Sequence, residues 1–408
     1  MDAAYLLDWA NLLLRWAHVI TAVAWIGASF YFVMLDNSLT PPGHDDLKAK
    51  GVDGEMWAVH GGGFYHSNKY MLAPKWLPLP QNLHWSYWES YSTWLTGFGL
   101  FTVLYLFNAG SFLVDKSVFD WSPGAAIAAS LGFLVVFWLV YDAICRTLGQ
   151  RANGDMVVGV CVTVFVVFAS WLACQLFAGR AAFLLVGAML ATAMSANVFF
   201  CIIPGQRKVV ASLRAGESPD PIHGRRGKQR SVHNTYFTLP VLIAMLSNHY
   251  GWLYQGPNNW LVLVLLMLAG ALIRHSFVAR HKAHVQGKRT PWEHAVVGTA
   301  VLVGLAIWLA PPPKTAAQVA AAKAMAAKPA AYAEVRAVID QRCAMCHNAA
   351  LAQKNVALHT PELLKQHAQA VYQQASVLKL MPMNNATQIT DAERELIRRW
   401  FEGGAPVQ

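Results

Sequence analysis

Cys343-Ala344-Met345-Cys346-His347 is the stretch on which the reading of this chain turns. It follows a long series of apolar runs. C-x-x-C-H is the attachment pattern of a c-type haem. Two thiols one helical turn apart can add to the two vinyl groups of one porphyrin, and the histidine that follows then falls beneath the iron as proximal ligand. The chain therefore divides into an apolar body and a small haem-bearing tail.

C-x-x-C also serves as a redox dithiol or as half of a zinc site. A second cysteine pair would favour zinc, and none lies nearby. The flanks look helical, whereas a thioredoxin-like dithiol sits in a βαβ setting. Tyr332 to Arg342 reads as a helix leading into the motif. Leu380-Met381-Pro382-Met383 comes later, followed by Thr390-Asp391-Ala392-Glu393, a capping box that opens a last helix through Leu396, Ile397 and Trp400. In this order of parts, residues 331–408 resemble a small class I cytochrome c. The position of Met381 before Pro382 makes it the expected distal ligand. Met383 is its rival, and His359 and His367 are weaker alternatives.

The rest of the chain is far too apolar for a soluble protein. Of its 408 residues 55% are hydrophobic and only 13% charged, with 16 tryptophans. Eight apolar stretches read as membrane helices near 9–34, 86–108, 122–145, 154–177, 181–204, 234–250, 258–279 and 292–310. The sixth is the shortest. Pro311-Pro312-Pro313 stops the eighth, and an Ala/Lys/Pro tether follows. The expected fold is all-α: a polytopic bundle of about eight transmembrane helices over residues 1–310, a linker at 311–330, and a small helical cytochrome c domain at 331–408.

The net charge of +10 does not call for nucleic acid, because the basic residues sort by loop. Lys48, Lys50, Lys69 and Lys75, then Arg146 and Arg151, then Arg207, Lys208, Arg214, Arg225, Arg226, Lys228 and Arg230, then Arg280, Lys282, Lys288 and Arg289 all fall in alternate connections. The opposite loops carry Lys116 and Arg180. The positive-inside rule then puts both termini outside the cytoplasm, the side on which a bacterial inner membrane receives haem at C-x-x-C-H. The first segment has no basic n-region or small-residue cleavage site and reads as a retained helix. Cys145, Cys161, Cys174 and Cys201 lie singly in apolar segments, where packing roles and no disulfide are expected.

Polar groups inside apolar segments are costly and usually functional. His18, Trp25 and Gly27 share one side of the first helix. This H-x6-W-x-G segment resembles the first helix of HemJ-type protoporphyrinogen oxidases and of CopD-like copper-resistance proteins. In the former that histidine ligates haem b. The resemblance implies a haem b held by His18; His249, at comparable depth at the outer end of the sixth segment, is the expected partner and His275 the alternative, while the simpler role for His18 is a hydrogen bond within the bundle. A second population lies at the basic end. The first basic-side loop holds His60-Gly61-Gly62-Gly63-Phe64-Tyr65-His66, then Trp76, His84 and Trp85, with Glu89 entering the second helix. Val59 to Tyr65 reads as a strand or hairpin. The sixth segment starts His233-Asn234-Thr235-Tyr236, and the eighth starts Trp292-Glu293-His294. Aromatic belts account for Trp and Tyr at an interface but not for so many histidines. Such a set suits a planar, polar, oxidisable substrate, with rings to stack on it and a base to take its proton. His60, His66, His84 and His233 are the base candidates, and Glu89 an orienting or proton-accepting carboxylate.

The whole chain also resembles one family. Trp16-Ala-His-Val, His60-Gly-Gly-Gly-Phe-Tyr-His66, Leu83-His-Trp-Ser-Tyr-Trp-Glu89, Ser231-Val-His-Asn-Thr-Tyr-Phe-Thr-Leu-Pro240 and Met245-Leu-Ser-Asn-His-Tyr250, with a C-terminal cytochrome c, are similar to the bacterial membrane-bound, cytochrome c-linked urate oxidases, the urate hydroxylase PuuD family. The resemblance implies oxidation of urate to 5-hydroxyisourate, with electrons passing to the fused cytochrome c and a respiratory-chain acceptor. The rival reading is a membrane cytochrome that relays electrons for a separate dehydrogenase and has no substrate site of its own. A transporter with a redox tail fits less well, since no inverted repeat is visible.

Overall fold

The computed structural model describes residues 3–71, 74, 79–311, 313, 315–317, 320, 330–352 and 355–407. Trp76, Lys75 and most of the expected tether lie outside these residues. All eight apolar stretches fold as helices. They are α1 (Ala3–Ser38), α3 (Trp88–Phe101, extended by a π-turn to Leu106), α5 (Pro123–Leu148), α6 (Gly154–Leu176), α7 (Gly179–Asn197), α9 (Pro221–Leu246), α10 (Asn259–Val285) and α11 (Glu293–Trp308). Between them lie the short α2 (Asp45–Ala49), α4 (Ala109–Phe112) and α8 (Ile203–Arg214). Among the described residues, five helical stretches are long and apolar enough to cross a membrane: Tyr5–Ser38, Pro123–Leu148, Gly154–Leu176, Gly179–Arg214 and Asn259–Val285. The others pack among these five.

The centre of the bundle is α7. Most of its positions are buried, among them Phe183, Leu185, Val186, Met189 and Leu190. Its alanines and glycines explain why. Small side chains let helix backbones approach closely in an apolar setting. A Cβ placed on Gly187 would stand 2.9 Å from Cβ of Ala244 on α9. Gly298 on α11 meets the Ala269 carbonyl of α10 in the same way, and Gly270 on α10 meets Leu239 of α9. These contacts bring α9, α10 and α11 together.

The sixth helix differs from expectation. It begins at Pro221, not near 234, and ends at Leu246 before a 3-10 turn, Ser247–His249. The Asp220 side chain caps it by accepting from the Ile222 N–H, and Pro221 takes the first helical position. Arg225 to Arg230 therefore lie on a helix and not in a loop. Their polarity hid the helix from a hydropathy reading.

The exception to helix among the described residues is a β-hairpin, β1 (Gly54–His60) against β2 (Gly63–Lys69). Gly61 and Gly62 make its turn with φ of +59° and +81°, the two left-handed positions of a tight hairpin turn. It is tied to the end of α1 by a backbone bridge from Thr40 to Glu55 and by a Lys69–Asp36 ion pair.

Beyond the body, α12 (Tyr332–Arg342), α13 (Pro361–Gln366), α14 (Ala368–Val371) and α15 (Asp391–Glu402) surround a separate core. Its centre is Val335, Ile339, Leu364, Ile397 and Trp400, all fully buried. Trp400 donates its indole N–H to the Pro406 carbonyl at 2.7 Å. The capping box forms as expected, with Thr390 and Glu393 each bonding the other's backbone. The tail touches the body at the end remote from the basic loops. There Gln255 Nε2 donates to the Lys379 carbonyl at 3.2 Å.

Candidate functional site

At the basic end of the bundle, α5, α7 and α9 enclose a chain of buried polar groups. Arg230 is 2% exposed. Its Nη2 donates to Asp142 Oδ1 at 2.6 Å and its Nη1 to Asn197 Oδ1 at 3.0 Å. Arginine has only donors, so the Asn197 oxygen must face it and the Asn197 amide nitrogen must face the other way. That nitrogen donates to the Tyr141 hydroxyl at 3.0 Å and to Asn234 Oδ1 at 2.9 Å. A hydroxyl accepting there sends its own proton to its other neighbour, His233 Nδ1, 2.8 Å away. With Nδ1 accepting, neutral His233 keeps its proton on Nε2. The arginine thus fixes the tautomer of a histidine two residues removed. His233, expected as a base, offers an N–H in this arrangement.

A cavity of about 140 Å³ lies against this network. Arg146, Lys208, Arg226 and Arg230 line it together with His223, Phe200 and Cys145, and none of its lining residues is acidic. Cys145 Sγ stands 3.9 Å from His233 Nδ1, so the cavity wall touches the tyrosine–histidine pair. An anion approaching from the basic end meets this concentration of positive charge first.

Three residues beyond His233 on α9, the Tyr236 hydroxyl and His275 Nδ1 are 2.7 Å apart. The rings of His275 and His294 meet edge to face with centroids 4.4 Å apart. Arg274 lies beside them, 6% exposed, with its guanidinium over the Phe30 ring at 3.6 Å.

The structure separates the other expected residues. His60 is exposed at the hairpin turn. His66 points to the opposite hairpin face, stacked on Trp57 with centroids 4.1 Å apart and bonded to Glu55. The Gly43 N–H, and after it His66, hold the Glu55 carboxyl below its ordinary range. His84 is exposed in a loop that Arg214 fastens through the Pro80 and Gln81 carbonyls. Glu89 is half-buried in the first turn of α3. Among the described residues no hydrogen bond or ring contact joins any two of His60, His66, His84, Glu89 and His233. Reading the sequence missed Tyr141, Asn197 and Arg274. Only Arg274 left a signal, as an arginine inside an apolar run.

The tail fits a c-type haem. All six cysteines are free thiols, Cys343 and Cys346 among them. His347 Nδ1 is 2.9 Å from the Val356 carbonyl, which places the proton on Nδ1 and leaves Nε2 for a metal. Met381 is held through its backbone, its N–H on the Gln374 carbonyl at 3.1 Å and its carbonyl on Arg394 Nη1 at 2.7 Å. His18 shows the same preparation. Its Nδ1 is 3.1 Å from the Thr93 carbonyl, Nε2 is left over, and Gly97 makes room for the ring. His249 is exposed at the far end of the bundle, and among the described residues no hydrogen bond or ring contact links it to His18. No group of three or more metal-binding side chains occurs among the described residues.

No curated protein and no solved structure matches the chain. Residues 4–310, the entire bundle with its hairpin, match the family model described as urate oxidase N-terminal. By that match over most of its length, the chain belongs to the urate oxidase N-terminal family.

Proposed function

We propose that this protein is a membrane urate oxidase that converts urate to 5-hydroxyisourate and delivers the electrons to its own C-terminal cytochrome c domain. The observation that carries this reading is the joining, in one chain, of a urate oxidase family domain at 4–310 to Cys343-Ala-Met-Cys-His347 with His347 Nε2 left open. The reaction consumes water: urate and one water give 5-hydroxyisourate, two protons and two electrons. A haem on Cys343 and Cys346, ligated by His347 and Met381, supplies a one-electron acceptor, and a respiratory-chain partner removes the electrons in turn.

The protein's own groups do the rest. The cations around the cavity draw the urate anion to the basic end, which we assign to the cytoplasm of a bacterial inner membrane. His233, positioned by Tyr141, directs an Nε2–H, while the imidazoles of His275 and His294 provide proton acceptors. Among the described residues His60, His84 and Glu89 bond to none of these groups, and His66 secures the hairpin through Glu55. The termini and the cytochrome domain lie on the periplasmic side. Because the bilayer core is roughly 30 Å thick, a carrier between the two sides is required, and a haem b at His18 fills that place, with lipid around the bundle.

The test uses full-length protein under argon with an artificial electron acceptor and ¹⁸O-labelled water. The reading predicts urate consumption with ¹⁸O in the product. No urate loss until a separate dehydrogenase is added favours the relay.

A further inference from the structure

Arg274 is a buried cation with no partner for one edge. It is 6% exposed, and both its Nε and its Nη2 are buried without a hydrogen bond. Those two nitrogens form the side of the guanidinium that presents parallel N–H donors, the fork that receives a two-atom acceptor. Phe30 covers the face of the group at 3.6 Å and fixes its plane. A charge inside a membrane bundle is costly, and buried donors left unmade add to that cost. An arginine held this way is built for an anion that arrives later.

Its surroundings narrow the choice of anion. His294 Nδ1 is a second buried atom without a partner. The His294 ring lies against His275, which is bonded to Tyr236. Arg274 directly precedes His275 on α10. Pro240 has no N–H, so the Tyr236 carbonyl loses its usual helical donor. The site thus offers a cationic fork beside imidazole and carbonyl acceptors. A urate anion matches both: its deprotonated ring nitrogen and adjacent carbonyl oxygen form the two-atom acceptor, and its remaining N–H groups need acceptors. The geometry points to Arg274 as the residue that binds urate, at a site between α1, α9, α10 and α11. This rests on the urate-oxidising reading and goes beyond it by assigning the binding group.

The experiment measures equilibrium dialysis of radiolabelled urate against full-length, dithionite-reduced protein, in which turnover is blocked. Arg274→Gln and Arg274→Met should each weaken binding about ten- to a hundredfold, the range of a hydrogen-bonded charge. Arg274→Met should also leave the thermal midpoint of the urate-free protein at or above that of the wild type, because an uncompensated buried charge is replaced by apolar packing. A structural arginine would show the reverse, a lower midpoint and unchanged urate affinity, and that outcome overturns the assignment. Loss of non-covalent haem in these variants with urate affinity intact also overturns it, since the fork would then hold a haem propionate. Failure of the wild type itself to bind urate would instead sink the underlying reading.

Discussion

Gln255, in the loop between α9 and α10, donates a hydrogen bond to the carbonyl of Lys379, two residues before Met381. Beside it, a Cβ on Gly251 would stand 3.4 Å from Leu380. The loop carrying the expected haem ligand thus rests on the end of the bundle remote from the basic loops. A Cβ at Gly251 would thus come into van der Waals contact with the tail. The alternation of basic loops puts Gln255 in one of the connections that carry few basic residues, and the tail meets the bundle there.

Met381 should be the distal ligand of the haem. Arg394 and Gln374 fix its backbone, which favours it over Met383, two residues on. Met381→Ala should convert the low-spin ferric spectrum to high spin, with Met383→Ala leaving it unchanged. The opposite pattern would move the ligand to Met383.

His18 should hold a second, non-covalent haem. In full-length protein carrying Cys343→Ala and Cys346→Ala, covalent haem is lost. A pyridine-haemochrome assay should still find b-type haem, and His18→Ala should remove it. A folded double variant without extractable haem would reduce His18 to its bonds with Thr93 and Thr96.

Arg230 and Arg274 should respond in opposite directions to the same substitution. Arg230→Met removes two hydrogen bonds made by a charged group, one to Asn197 and one to Asp142, which keeps Arg146, and should cost roughly 3–5 kcal/mol. Tyr141→Phe should cost about 2 kcal/mol, two neutral hydrogen bonds. Thermal unfolding in detergent, followed by circular dichroism, ranks them. A Tyr141→Phe loss equal to that of Arg230→Met would mean that the network does not run through the arginine.

How much of this could be read beforehand depends on what each residue's neighbours reveal. The tail was legible as a small helical unit because its signals are local. The helices α12 and α15 were legible for the same reason, from a motif and a capping box. The extent of α9 was not, since Arg225, Arg226, Lys228 and Arg230 look like a loop until α5 and α7 give Arg230 its partners. The basic-end histidines looked alike in sequence, yet pairing across the hairpin commits His66 to Glu55, and a fold contact from α5 commits His233 to Tyr141. Those distinctions depend on long-range packing, which spacing along the chain does not encode.

The hairpin should keep its order through neutral pH and lose it in acid. The Glu55 carboxyl lies below the ordinary glutamate value of 4.5 because the Gly43 N–H and His66 favour the ionised form. A depressed carboxyl stabilises the fold fully above the unfolded value, and that contribution fades as pH falls through the folded one. The difference in intrinsic fluorescence between the wild type and Trp57→Phe should therefore show a transition below the ordinary glutamate range, with Glu55→Gln removing that transition. An unchanged acid transition in Glu55→Gln would assign it to another group.

The most direct test of the central claim is haem absorbance on anaerobic addition of urate to the purified full-length protein, with no other protein present. The account predicts reduction of the haem on Cys343 and Cys346, with 5-hydroxyisourate formed at one molecule per two electrons. Arg274→Gln should slow this reduction at limiting urate, and dithionite should still reduce the variant fully. Haem that stays oxidised in the presence of urate, yet is reduced by dithionite, would contradict it.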